Sequence, residues 1–308
     1  MDWLELYTDH TFRMVCIGAM LIGAVSGAIG CFAYLRRQSL VGDVVAHSSL
    51  LGIMLFFLAS YAITGQGNKS LAILIPGAMT SGFAALFLTR FLVRQTHVRD
   101  DSGLAVMLAI FFGTGIVLLR WVQGAQPVIP GRSGLEDFIF GMAAAMTWQD
   151  LLMIVGVGTL STILLMLNWK QLKVFTFDPL FAHSLGYSTK RMDALLVFII
   201  VCGIVIGLQT IGVVLMIALL VTPAAAARQW TRTLGAMVVL ASILGATSAG
   251  IGAAISAQFS GIPTGPAIVL VGAVLFIFSL LLAPRRGVLM SRQGRSQIES
   301  LIAKRGNP

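Results

Sequence analysis

Asp43 and His47 are the two residues whose chemistry and spacing most clearly suggest a binding site. They stand four positions apart in the stretch Leu40–Ala62, which contains no other Asp, Glu, Lys, Arg or His. In an α-helix, side chains four residues apart lie on the same face. A carboxylate oxygen beside an imidazole nitrogen is a mixed ligand set that suits Mn²⁺, Fe²⁺ or Zn²⁺. The spacing therefore predicts a metal-binding pair.

A purely structural explanation of this pair is also open. An Asp near the start of a helix is favoured by the helix dipole, and a helical histidine can form a hydrogen bond within its own helix. Two ligands are too few to hold an ion tightly. Two ligands suit a weak site that must release its ion. A second copy of the chain would supply the remaining ligands.

The other candidate residues are weaker. Three histidines are expected to be solvated or in contact with protein: His10, His97 and His183. Three cysteines lie in apolar runs without metal or redox spacing, and are expected to be buried hydrophobes: Cys16, Cys31 and Cys202. Glu136 and Asp137 could gather cations, but an ordinary solvated helix start explains them as well.

The composition indicates a membrane protein built around these residues. Of the 308 residues, 57% are hydrophobic and 11% are charged, whereas a soluble domain carries about 25% charged residues. A helix needs about 20 mostly apolar residues to cross a bilayer. Seven stretches contain no Asp, Glu, Lys or Arg: Met14–Tyr34, Val44–Ala62, Ser70–Thr89, Ser102–Leu119, Leu151–Trp169, Ala194–Ala227 and Thr233–Pro284.

The last two stretches are long enough for two crossings each. Their natural breaks fall near Gln209–Gly212 and near Gly261–Gly265, so the sequence predicts nine crossings in an all-α polytopic membrane protein. An ionisable residue within such a crossing is costly and is a functional candidate by default. This strengthens the case for Asp43 and His47.

The net charge of +9 is explained by topology. With the N-terminus outside, 17 of the 21 basic residues fall on the inner side, and the remaining four are Arg13, Lys69, Arg120 and Arg132. Such a bias is what the positive-inside rule requires. Binding to nucleic acid is not needed to account for the charge.

The sequence contains no phosphate-binding loop of the Gly-x-x-x-x-Gly-Lys-Ser/Thr type. The segment Gly65–Ser70 resembles one superficially, but it lacks the Gly before Lys69 and lies on the predicted outer side. The chain is therefore not expected to hydrolyse ATP. It would be a passive pore, an ion-driven carrier, or a membrane subunit driven by another protein. Carriers usually contain paired broken helices in inverted halves, and the two halves of this sequence do not look alike.

The longest polar stretch on the predicted inner side is Lys170–Asp193. It contains Asp178-Pro179 and, after a short apolar segment, Leu185-Gly186. This order predicts a short helix at the membrane surface that ends in a turn.

Three segments resemble those of bacterial manganese, zinc and iron ABC transporter permeases. The first is Arg37–Ser48, which carries the pattern R-x-S-L-x-G-D-x-x-x-H; the others are Gly212–Ala225 and Pro263–Val269. Together with the hydropathy profile, the resemblance covers roughly residues 10–287. The segment Phe138–Ala144 is more similar to the manganese and iron branch than to the zinc branch.

The resemblance implies a permease domain over residues 1–287, with eight or nine transmembrane helices, and a basic cytoplasmic tail over residues 288–308, in a bacterial inner membrane. Asp43 and His47 would line the path of a transported divalent ion: manganese, or alternatively zinc or iron. No permanently bound cofactor is implied. Implied partners are two cytoplasmic ABC ATPase subunits, an extracytoplasmic metal-binding protein, membrane lipids, and a second copy or a sister permease. The segment Phe177–Arg191 would couple the chain to the ATPase, through Asp178, Pro179, Leu185 and Gly186.

Two other transport classes stay open. A gradient-driven secondary carrier or channel for metal would work without an ATPase. A vitamin or siderophore permease of related architecture would need a wider path and no metal ligands, and the Asp43/His47 pair counts against it.

Overall fold

The computed structural model describes residues 10–36, 38–141, 146–259 and 262–283 of the chain. All regular secondary structure in these ranges is helical. The helices are α1 (His10–Leu35), α2 (Ser39–Thr64), α3 (Leu71–Gln95), α4 (Asp100–Gly124), α5 (Asp137–Phe140), α6 (Trp148–Leu167), α7 (Trp169–Phe177), α8 (Pro179–Ser184), α9 (Thr189–Val205), α10 (Leu208–Ile211), α11 (Val213–Trp230), α12 (Leu234–Gln258) and α13 (Thr264–Leu282).

Each of the nine predicted crossings corresponds to one of these helices. Within the described residues, seven helices are long and apolar enough to cross a membrane: α1, α2, α3, α4, α6, α12 and α13. The other two, α9 and α11, have 17 and 18 residues, which gives lengths of about 25 and 27 Å. The predicted tail, residues 288–308, and residues 142–144 of the Phe138–Ala144 segment lie outside the described residues.

Both predicted breaks are confirmed. After α9 the chain forms the short helix α10, and Gly212, with a φ of +89°, is the N-cap residue of α11. This left-handed φ is readily adopted only by glycine. At the second break, α12 ends at Gln258 and α13 begins at Thr264, directly after Pro263. Proline suits this position because it is tolerated at the start of a helix but not in its interior.

Small residues allow the central helices to approach closely. α1 packs against α12, where a Cβ atom on either Gly23 or Gly245 would overlap the carbonyl oxygen of the other residue. α2 packs against α3 in the same way through Gly52 and Gly77. In a membrane, helices associate through van der Waals contact, so glycine at such crossings favours tight packing.

The residues that the sequence assigns to the two sides of the membrane lie at opposite ends of the bundle. Arg36, at the end of α1, and Arg90, near the end of α3, both contact Asp193, near the start of α9; we call this the basic end. At the opposite end of α3, Lys69 Nζ donates a hydrogen bond to the Ser133 carbonyl oxygen (2.6 Å). The predicted inner residues and the predicted outer loops therefore lie at opposite ends of one helix.

Candidate functional site

Asp43 and His47 are in direct contact on α2. Nδ1 of His47 lies 3.0 Å from the carboxylate oxygen Oδ1 of Asp43 and 3.0 Å from the Asp43 backbone carbonyl oxygen. The side chain of His47 is 14% exposed and that of Asp43 is 29% exposed. The predicted shared face is therefore confirmed, and so is the hydrogen-bonded histidine of the structural explanation.

This contact determines what the pair can do chemically. When Nδ1 carries the imidazole proton, it donates to Asp43, and the lone pair of Nε2 on the other side of the ring is available to a ligand. A metal-binding histidine usually donates its second ring N–H to a carboxylate or a backbone carbonyl, which fixes its tautomer and raises its basicity. In this arrangement Asp43 orients His47 for an ion at Nε2. To bind that ion itself, the Asp43 carboxylate would have to leave Nδ1, because Nδ1 and Nε2 lie on opposite sides of the ring.

Neighbouring helices hold this part of α2 in place. Ser81 Oγ of α3 donates a hydrogen bond to the Ser48 carbonyl oxygen (2.6 Å), directly after His47. The Phe112 ring of α4 meets the His47 ring edge to face, with centroids 4.8 Å apart and an interplanar angle of 80°. Gly42 lies against Leu220 of α11. The position of the pair is therefore fixed from three sides.

The part of the chain that the structure describes supplies no third His, Cys, Asp or Glu ligand for the pair. No group of three or more His, Cys, Asp or Glu side chains there could hold a metal ion. His97 and His183 are exposed, and Cys31 Sγ donates to the Gly27 carbonyl oxygen of its own helix (3.3 Å). Glu136 is exposed next to the short helix α5. A further His, Cys, Asp or Glu ligand would have to come from outside the described residues.

A second polar cluster at the basic end was not predicted. Asp193 accepts from Arg90 and lies 3.6 Å from Arg36 Nη1. The Arg36 guanidinium also stacks over the Phe175 ring of α7, 4.0 Å from its centroid. Burial lowers the pKa of Arg36, and the negative charge of Asp193 opposes this shift. The one sequence signal was that Asp193 is the sole acidic residue between Asp178 and Glu299.

The segment predicted to form a short surface helix is α8, and its two ends have well-defined caps. At its start, Asp178 Oδ1 accepts hydrogen bonds from the backbone N–H groups of Leu180 (3.0 Å) and Phe181 (2.9 Å), and Pro179 occupies the first turn. Aspartate is among the preferred N-cap residues, and proline suits the first helical position. Two of the residues predicted for coupling therefore begin the helix.

At its end, α8 closes in a Schellman motif. Gly186 has a φ of +83°, and its N–H donates to the His183 carbonyl oxygen (3.0 Å). The N–H of Tyr187 donates to the Ala182 carbonyl oxygen (3.1 Å). These are the two hydrogen bonds of the motif, whose left-handed position favours glycine. Leu185 is the C-cap residue.

This capped helix presents apolar side chains to the outside. Leu180 is 84% exposed, and three further large hydrophobic residues are more than half exposed: Phe177, Phe181 and Leu185. Ala182 is fully buried and anchors the helix against the protein. Contiguous exposed apolar side chains on a soluble face mark an interaction site. We call these four residues the α8 surface.

The seven long apolar helices define a multi-pass membrane protein. The chain matches the ABC 3 transport family over residues 8–283 and belongs to that family. This confirms the family expected from Arg37–Ser48 and the two later segments.

The chain is similar to several proteins of known role. It is 41% identical over 286 residues to the manganese transport system membrane protein MntC of Bacillus subtilis. The aligned region covers 93% of this chain and 64% of that protein. It is 39% identical over 303 residues to the zinc transport system membrane protein TroC of Treponema pallidum, covering 98% and 99%. Among solved structures, PsaBC from Streptococcus pneumoniae in complex with Fab superposes with a TM-score of 0.81 and 28% identity, covering 93% and 97%.

Proposed function

We propose that this chain is the membrane-spanning permease subunit of an ATP-driven importer of divalent transition-metal ions. The observation that carries the proposal is the contact between His47 Nδ1 and Asp43 Oδ1 on the packed helix α2. Membership of the ABC 3 transport family and similarity to permeases named for manganese and zinc support it. Manganese is the favoured ion, with zinc and iron as alternatives.

The ion would pass between two copies of the chain, or between this chain and a sister permease. Two copies bring two carboxylates and two imidazoles to one path. Oxygen and imidazole ligands together suit manganese, iron and zinc. A site shared between subunits can bind the ion in one arrangement of the pair and release it in another. This explains why each chain needs only two ligands.

The basic end would face the cytoplasm, as the positive-inside rule requires. The α8 surface then receives an ABC ATPase subunit, because it offers exposed apolar side chains on a rigidly capped helix. Phe175 on α7 and Arg36 after α1 link this region to the helix bundle through their stacking contact. ATP hydrolysis belongs to the ATPase, since the sequence contains no phosphate-binding loop.

The opposite end would receive the metal from an extracytoplasmic metal-binding protein. The loops there are tied to one another by the hydrogen bonds from Gly67 N to the Pro130 oxygen (3.0 Å) and from Lys69 to Ser133. The exposed carboxylate of Glu136 lies beside these loops in sequence and can attract the cation. Asp137 begins the short helix α5 at the same end.

The test is metal uptake by cells that carry Asp43→Asn or His47→Ala. Each change should reduce uptake by at least about one hundredfold, since removing even a supporting partner of a metal ligand costs ten- to one-hundredfold. The amount of protein in the membrane and its association with the ATPase should stay unchanged. His97→Ala, in an exposed loop, is the matched control. A well-expressed His47→Ala variant with wild-type uptake would show that the pair is structural.

A further inference from the structure

A deep apolar groove opens between α1, α6, α7 and α12, away from the Asp43/His47 pair. Its volume is about 980 Å³, at the upper end of the range of small-ligand pockets, roughly 300–1,000 Å³. Its walls include Ala28 and Ile29 of α1, Leu165 of α6, and Val239 and Ile243 of α12. Val239 and Ile243 are more than half exposed, so the groove is open on its bilayer side.

The mouth of the groove lies at the basic end. Trp169 lines it, lies against Gly235 at the start of α12, and packs edge to face on Phe32, one turn before Arg36. Along α12 the lining runs from Gly235 to Ile243, a rise of about 12 Å. The hydrocarbon core of a bilayer is about 30 Å thick. The groove therefore spans nearly the depth of a single leaflet, the cytoplasmic one.

Apart from the hydroxyl groups of Thr162 and Ser242, the polar side chains of the groove lie at this mouth. Lys170, Gln171 and Tyr187 line it there, and each carries an N–H or O–H donor. The sequence contains no acidic residue in 151–177 or in 194–298, so α7, α11 and α12 hold no carboxylate that could pair with Lys170. The acidic residue of α6, Asp150, lies in its first turn, at the end of that helix far from Lys170. Trp and Tyr are enriched at membrane–water interfaces, and basic pockets between helices on the cytoplasmic side bind anionic lipid head groups.

We infer that the groove is a binding site for one anionic phospholipid of the cytoplasmic leaflet. An acyl chain lies along the apolar walls, and the phosphate is held by the ammonium group of Lys170 with Gln171 and Tyr187 as further donors. The groove has apolar walls and a cationic mouth. An anionic phospholipid has the matching arrangement, with apolar acyl chains and a charged head group at one end. A second copy of the chain packed over this face would instead leave Lys170 against apolar helices.

Native mass spectrometry of the purified full-length protein tests this site. The protein would be released from micelles doped with phosphatidylglycerol or with phosphatidylcholine of the same chains. We expect one retained phosphatidylglycerol per chain and little phosphatidylcholine. Lys170→Gln should reduce this retention about fivefold, as expected for one basic residue near an anionic surface, and Ala28→Phe should abolish it by filling the groove.

Two controls separate the site from general surface effects. Lys173→Gln removes an exposed charge from the same helix α7 outside the groove lining, and Ala109→Phe adds the same ring to an exposed position of α4. Both should retain the lipid as wild type does. Equal retention of the two lipids, equal retention by Lys170→Gln and wild type, or a dimer that retains no lipid would each overturn the inference.

Discussion

The Asp43/His47 pair on α2 and the α8 surface are two opposite exceptions to the usual rule that charged side chains face water and apolar side chains are buried. Asp43 and His47 place ionisable groups within an apolar span, whereas α8 places Leu180 and Phe181 in contact with water. Each arrangement costs free energy where it stands: an ionisable group in the membrane loses hydration, and an exposed apolar side chain gains nothing from burial. Local departures of this kind are expected at functional positions.

The two regions also differ in how they are held. The pair is positioned by packing from other helices, through Ser81, Phe112 and Leu220. The α8 surface is positioned by its own caps, Asp178 and Gly186, together with the buried Ala182. A site for an ion therefore depends on the whole bundle, while a site for a protein partner can depend on a few local hydrogen bonds.

The largest effect outside the metal pair is expected at the exposed apolar side chain of Leu180. Leu180→Glu would place an unpaired charge in the ATPase contact, and an unpaired buried charge is strongly unfavourable. Recovery of the ATPase with the purified chain should fall by about tenfold or more, and metal uptake should fall to background. Val98→Glu is the matched control, because Val98 is an exposed apolar residue in another loop of the basic end. Undiminished ATPase recovery with Leu180→Glu would remove the α8 surface from the coupling interface.

A smaller effect is expected at Gly186, which shapes the α8 surface without belonging to it. Gly186→Arg forces a side chain into a left-handed position, at a cost of about 1–2 kcal/mol, so transport should fall about tenfold while the protein still inserts. Gly65, with a φ of +71° and open space around it, ends α2 at the opposite end of the bundle. Gly65→Arg therefore imposes the same strain away from the ATPase and should leave coupling intact. Equal losses in the two variants would show that general strain is the cause.

The smallest effect is expected when a hydrogen bond that holds α2 beside the Asp43/His47 pair is removed. Ser81→Ala removes the hydrogen bond from α3 to the Ser48 carbonyl oxygen, a contribution of about 1 kcal/mol. Metal uptake should fall about fivefold, with no change in ATPase recovery. Thr114→Ala, which removes a hydroxyl bonded within its own helix to Ile110, is the control. A change in ATPase recovery with Ser81→Ala would contradict the separation of the two regions.

Much of this organisation could be predicted from local sequence. The break before Gly212 follows from residues adjacent in the chain, and the i, i+4 spacing places Asp43 and His47 on one face. The caps of α8 are signalled by Asp178-Pro179 and Gly186. These features depend on interactions within a few residues, where propensity and spacing are informative.

The remaining features depend on residues far apart in sequence. Arg90 and Asp193 meet across 103 positions, and the contact of Phe175 with Arg36 joins α7 to the end of α1. Which ring nitrogen of His47 contacts Asp43 depends on side-chain rotamers. The lipid groove exists only because four separate helices leave a space between them. No local pattern encodes such contacts, since they follow from the packing of the whole bundle.

Manganese transport in liposomes that contain this chain with its partner ATPase, and that are supplied with the metal-binding protein, tests most directly whether the chain is an ATP-driven permease. Radioactive manganese should accumulate only when both the ATPase and ATP are present. With His47→Ala, the ATPase should still assemble and hydrolyse ATP, but no manganese should accumulate above background. Accumulation by the chain alone under an ion gradient would instead identify a secondary carrier, and wild-type accumulation by His47→Ala would contradict the assignment of the pair to the metal path.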